Sequence, residues 1–135
     1  MTRGRAAGGP ADDAEARRTH QVVTYARRVS DQAFHPPAEE LTLPKVLAAL
    51  ADPARLATVR TLARLGESAC GRIQHDAGLE VSKSTMSHHL RILREAGITR
   101  SRTQGARRLL TLRRQDLDRR FPGLLDAVLQ PELIR

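Results

Sequence analysis

Apolar positions recur along this chain at helical spacing, and polar or glycine punctuation separates the runs. Val46, Leu47 and Leu50 give residues 43–51 one apolar face, with Pro44 suited to the first turn of a helix. Asp52 reads as an N-cap and Pro53 as the first helical residue of a second helix. That helix turns Leu56, Val59, Leu62, Ala63 and Leu65 inward and ends at Gly66. Ser68 is placed to cap a short helix over 70–77, closed by Gly78. Ser82 is placed to cap the next, which runs to Ala96 and stops at Gly97. On a helical wheel Met86, Leu90 and Leu93 share one face, while Ser84, Ser87, His88, Arg91 and Glu95 lie opposite. His89 falls about 60° from the core direction, the position of a packed, hydrogen-bonded side chain. Residues 98–103 and 106–112 then alternate as strands joined at Gln104 and Gly105. Leu117, Phe121, Leu124, Leu125, Val128 and Leu129 close the chain, with Pro122 starting or kinking a last helix.

The pattern divides the 135 residues into four parts. Residues 1–11 are Gly, Ala and Arg around one Pro and predict a disordered tail. Residues 12–40 predict a helical arm, carrying Val22, Val23, Tyr25, Ala26 and Val29, and a linker stiffened by Pro36 and Pro37. Residues 41–130 form the compact domain, and 131–135 a C-terminal tail. This length suits one core. With Phe34, Phe121 and Tyr25 its only aromatics, that core must be aliphatic, which favours packed helices. No run of 18 apolar residues is present and no apolar segment follows the basic start, so neither a membrane span nor a signal peptide is expected. A single cysteine, Cys70, excludes an intramolecular disulfide and fits a cytoplasmic protein.

Charge changes the picture most. Between Ser82 and Arg114 nine Lys or Arg face one acid, Glu95, so this segment carries as much net charge as the whole protein, +8. A basic footprint on one helix and the hairpin after it is what a reader of double-stranded DNA needs, because phosphate neutralisation supplies much of the binding free energy. Arg100, Arg102, Arg107 and Arg108 decorate the hairpin.

Three stretches, A-L-A-D-P-A-R-L at 49–56, S-K-S-T-M-S-H-H-L at 82–90 and L-R-E-A-G-I at 93–98, resemble the ArsR/SmtB family of small dimeric repressors. The resemblance covers roughly two-thirds of the chain. It implies a mainly α fold with a small β-hairpin, an α+β winged helix-turn-helix that works as a homodimer. It also implies that Ser82, Lys83, Ser84, Thr85, Ser87 and His88 lie on a recognition helix at the major groove, with Arg91 reaching a phosphate and the hairpin arginines acting as the wing. The expected dimer interface uses the N-terminal arm or the first helix, with Leu47 and Leu50, together with the last helix, with Leu124, Leu125, Val128 and Leu129. The function implied is a sequence-specific repressor on an inverted-repeat operator, since two-fold protein symmetry demands two-fold DNA symmetry.

Departures from the family bear on sensing. Metal-responsive members carry a Cys-x-Cys pair on the first reading helix, or Asp and His ligands on the last helix. Here Gly71 and Arg72 follow Cys70, and 116–135 holds neither His nor Cys. No metal site and no cofactor are therefore expected, and His20, His35 and His75 read as exposed side chains. Two alternatives stay open at this stage: an architectural DNA-binding protein of little sequence preference, and a thiol- or metal-responsive sensor acting through Cys70. Catalysis is not expected, because His88 and His89 diverge by about 100° and no acid or nucleophile is set beside them. The identity of any inducer is not legible.

Overall fold

A computed structural model of the chain describes residues 34–130. The arm helix expected over 12–30, His20 and both tails lie outside the described residues. The chain enters through a single 3-10 turn, Ala38–Glu40, and continues into helices α1 (Leu43–Leu50) and α2 (Pro53–Leu65). Strand β1 (Ser68–Ala69), helix α3 (Cys70–Asp76) and helix α4 (Lys83–Glu95) follow. The hairpin β2 (Thr99–Gln104) and β3 (Arg107–Leu112) precedes two short helices, α5 (Arg114–Arg120) and α6 (Leu124–Leu129).

Local chemistry sets these boundaries. Asp52 Oδ1 accepts from the backbone N–H groups of Ala54 at 2.8 Å and Arg55 at 3.1 Å, so the expected cap of α2 is present. Burial works to raise the Asp52 pKa, but those two N–H bonds outweigh it and hold the carboxyl below its ordinary value. Ser82 Oγ caps α4 by accepting from Thr85 N at 3.1 Å. The helix stops at Gly97 because the chain there takes φ +86°, and an added Cβ would overlap the Leu41 side chain.

Two expectations about local structure are corrected. Ser68 does not cap α3, for its Oγ donates to Gly66 O at 3.0 Å and no side chain caps that helix. Instead Ser68 and Ala69 pair with Leu110 and Leu109, giving a three-stranded antiparallel sheet in the order β1-β3-β2. Two residues are too few to show an alternating pattern, so the sequence carried no strand signal there. The hairpin turn is Gly105 and Ala106, closed by the pair Gln104 and Arg107, one residue later than expected. Gly105 takes φ +63° in it.

Two apolar clusters hold the domain together, and α4 is built into both. Leu93 joins Leu41, Val46, Ala49, Leu50, Val59, Ala96, Ile98, Leu117 and Leu125. Met86 and Leu90 join Leu62, Ile73 and Leu110. Anchoring one helix at two points along its rear face fixes its rotation, which decides what its front face presents.

The last helix, expected at the dimer interface, packs on the core of its own chain. Leu125 is 1% exposed and Leu50 7%, both inside the first cluster, with Leu124, Val128 and Leu129 packed against it. The reason is a break at 121–123, where Gly123 takes φ +88° and turns α6 back onto α2. Arg60 secures it by donating to Val128 O at 2.9 Å and Gln130 O at 3.1 Å. Leu47, read as part of the apolar face of α1 and of the expected dimer interface, is 45% exposed, and Leu43 one turn before it 41%.

Candidate nucleic-acid interface

The front of α4 is polar because its rear is committed to the core. Ser82, Lys83, Ser84, Thr85, Ser87, His88 and Arg91 are all exposed, and Ser84, Ser87, His88 and Arg91 lie on the side away from Met86, Leu90 and Leu93. Ser82 is occupied by capping: besides accepting from Thr85 N, its Oγ lies 3.0 Å from Thr85 Oγ1 and 3.2 Å from Ser84 Oγ. Arg91 Nη2 stands 3.2 Å from His88 Nδ1. A guanidinium can only donate, so Nδ1 accepts and Nε2 of the neutral ring is left as an N–H donor, suited to a base-edge acceptor.

The turn between α3 and α4 is tied by Gln74, whose Nε2 donates to Leu79 O at 3.2 Å and Val81 O at 3.0 Å. The relation of α4 to α1 and α2 is tied by Arg55. Its Nε donates to Ala49 O at 2.7 Å and its Nη1 lies 3.1 Å from Nδ1 of His89, which is 9% exposed. His89 is thus the packed side chain its angle on the helix predicted.

The hairpin separates its arginines. Arg102 makes a two-pronged pair with Glu67, Nε to Oε2 at 2.7 Å and Nη2 to Oε1 at 2.8 Å. The pair lowers the Glu67 pKa and raises that of Arg102. Arg100 Nη2 lies 3.7 Å from Asp116 Oδ2. Arg107 and Arg108 make no ion pair among the described residues, and these two remain the unneutralised cations of the wing.

Arg113 leaves the footprint altogether. It is 5% exposed, donating from Nη1 to Pro36 O at 2.8 Å and from Nε to Asp116 Oδ2 at 3.0 Å. Asp116 also accepts from Arg119 at 3.2 Å. Burial would raise its pKa, but bonding to Arg113 and Arg119 and the charge of Arg100 bring it below the ordinary value. Close by, His35 Nε2 accepts from Ser101 N of β2 at 3.0 Å. The linker at 35–36 is therefore fastened to the wing strand and to the start of α5.

Residues 50–102 match the family model for a helix-turn-helix domain. The homodimeric winged helix-turn-helix DNA-binding domain of a possible ArsR-family regulator from Mycobacterium bovis is 30% identical, with a TM-score of 0.53 over 64% of this chain and 76% of that one. A possible transcriptional regulator for arsenical resistance is 32% identical, with a TM-score of 0.51 over 68% of this chain and 91% of its own. The uncharacterized HTH-type transcriptional regulator YceK of Bacillus subtilis strain 168 is 34% identical over 85 residues, 62% of this chain and 83% of that protein. The chain belongs to the ArsR family of winged helix-turn-helix transcriptional regulators.

In this ArsR-family protein α3, its following turn and α4 form the helix-turn-helix, and β2 and β3 form the wing. DNA is its partner, as for DNA-binding regulators of the family. The described residues contain no group of three or more His, Cys, Asp or Glu able to hold a metal ion. Cys70 is half-buried against the second cluster, and that burial pushes its thiol above the ordinary range although Arg108 acts in the other direction. No described helix is long and apolar enough to cross a membrane. The positioning residues Arg55, Gln74 and Arg113 were missed by reading the sequence. Only Arg55 had a signal, its place within the A-L-A-D-P-A-R-L stretch.

Proposed function

We propose that this ArsR-family protein represses transcription as a homodimer on an inverted-repeat operator, reading bases with Ser84, Ser87 and His88 of α4. Lys83, Thr85 and Arg91 of α4 and Arg107 and Arg108 of the wing hold backbone phosphates. Ser82 contributes by capping the helix that carries the readers, and Arg100 and Arg102 contribute less because each already faces a carboxylate. The observation that carries this reading is the division of α4 into a rear face locked in two clusters and a front face of exposed hydroxyls, imidazole and guanidinium.

The dimer reading draws support from the homodimeric Mycobacterium bovis domain and from the exposed pair Leu43 and Leu47 on α1. Leu124, Val128 and Leu129 are half-buried and can extend that surface, whereas Leu50 and Leu125 support it from within the core. Sequencing DNA fragments retained by the purified protein tests the whole reading. An inverted repeat with half-sites about one helical turn, ~34 Å, apart is the expected result. Retention of fragments without any common sequence would instead favour an architectural DNA-binding role.

A further inference from the structure

The register of the wing gives its two unneutralised arginines different surroundings. Arg107 stands opposite Gln104, on the side of the sheet shared by Arg102 and Arg100. Arg108 stands opposite Thr103, on the side shared by Ser101, Leu110, Thr99 and Leu112. Because Leu110 packs with Met86 and Leu90, this second side is the one turned toward α4. Arg107 is correspondingly exposed and Arg108 half-buried.

On α4, toward which this side of the sheet turns, Arg94 lies one turn beyond Arg91, close enough to Arg108 for their charges to act on each other. Arg94 is half-buried, its Nε is enclosed with no acceptor, and it makes no ion pair among the described residues. Burial acts against its charged form most strongly; the neighbouring Glu95 acts in the other direction, and the charges of Arg108 and then Arg91 add to the effect of burial. Two more polar atoms on this side of β2, Thr99 Oγ1 and Ser101 Oγ, are enclosed without a partner. Like charges that act on a half-buried guanidinium whose Nε has no acceptor are an arrangement that an anion stabilises.

We propose that Arg91, Arg94 and Arg108 together seat one phosphate group, a DNA backbone phosphate, in the angle between the recognition helix and the wing. The proposal rests on the DNA-binding reading and adds to it a residue, Arg94, and a grouping: Arg91 and Arg108 serve the same phosphate, while Arg107 on the other side of the wing serves a different one. The seat couples the two DNA-contacting elements, since a phosphate held between them is correctly placed only when α4 and the wing bind together.

The test measures duplex affinity against salt for the full chain and for Arg91→Gln, Arg94→Gln, Arg108→Gln, the triple variant and Arg107→Gln. Each single change in the seat should weaken binding about tenfold, the loss of one charge-assisted bond. It should leave the log-log salt slope unchanged, because the remaining cations still neutralise the phosphate. The triple variant should flatten the slope by about 0.9 per protomer, and Arg107→Gln should do so alone. A triple-variant change near three times that value would mean three separate phosphates and would overturn the shared seat, as would wild-type affinity in Arg94→Gln.

Arg94→Lys, which keeps the charge, guards against a folding defect and should retain more affinity than Arg94→Gln. The Arg94 Nε–H resonance should move on adding duplex, and much less on adding inorganic phosphate at matched ionic strength. Movement with inorganic phosphate alone would make this a site for free anions and overturn the assignment to DNA. A wild-type protein that binds no duplex would remove the DNA reading itself, an outcome distinct from the failure of Arg94 alone.

Discussion

Arg55 Nη1 lies 3.1 Å from His89 Nδ1, joining the first turn of α2 to the middle of α4 across 34 positions of sequence. The same guanidinium donates from Nε to Ala49 O at 2.7 Å, near the end of α1. One side chain thus ties together three helices, and the angle of the reading face depends on it. Arg55→Ala should lower stability by about 1–3 kcal/mol, since it strands a carbonyl and an imidazole nitrogen in poorly solvated positions. Denaturant unfolding of Arg55→Ala, His89→Ala and the double variant checks the relationship. The double variant should lose less than the sum of the single losses, whereas strict additivity would show that the two residues act separately.

The two leucines Leu47 and Leu125 should respond in opposite ways. Leu125→Ala removes atoms from a fully enclosed position, so it should cost about 2–5 kcal/mol of protomer stability. Leu47→Glu acts on an exposed apolar position and should leave the helical circular dichroism signal intact while lowering the mass seen by sedimentation and the affinity for DNA. Unchanged mass in Leu47→Glu would exclude this face of α1 from the dimer.

His35 predicts a dependence on pH. Burial, followed by the charges of Arg100, Arg94 and Arg113, lowers its pKa from the ordinary 6.5, and Nε2 must be unprotonated to accept from Ser101 N. A histidine whose folded-state pKa is depressed contributes stability that is complete above its unfolded value and lost as the pH falls through the folded one. The melting temperature should therefore fall as the pH is lowered from 7 to 5, and His35→Gln, which keeps an acceptor that does not titrate there, should show a shallower fall. Parallel pH profiles for the two proteins would show that this bond contributes nothing measurable.

Cys70 tests the sensor alternative. A thiol whose pKa is raised by burial is protonated near neutral pH and slow to react, so alkylation of the native protein should be far slower than in urea. Cys70→Ser should leave DNA affinity and its response to zinc, cadmium, arsenite and peroxide unchanged. A metal- or peroxide-triggered release from DNA that disappears in Cys70→Ser would reassign the protein as a thiol-based sensor.

What the sequence by itself determined is local. The caps Asp52 and Ser82, the stop at Gly97, the two faces of α4 and the inward position of His89 all follow from spacing over fewer than four helical turns. The family could also be read from three short stretches, because each is a run of contiguous residues. The tertiary structure alone decided which charges remain available. Nine cations between Ser82 and Arg114 look alike in sequence, yet Arg113 is buried on Pro36 O and Asp116, Arg102 is held by Glu67, and Arg108 faces α4 while its neighbour Arg107 does not. Apart from Asp116, those differences depend on partners 35 and 77 positions away, Glu67 and Pro36, and on a strand register, and periodicity within one element carries no information about either. The fate of Leu125 has the same origin: an apolar stripe shows that a helix must be covered, and only the break at 121–123 determines that its own chain does the covering.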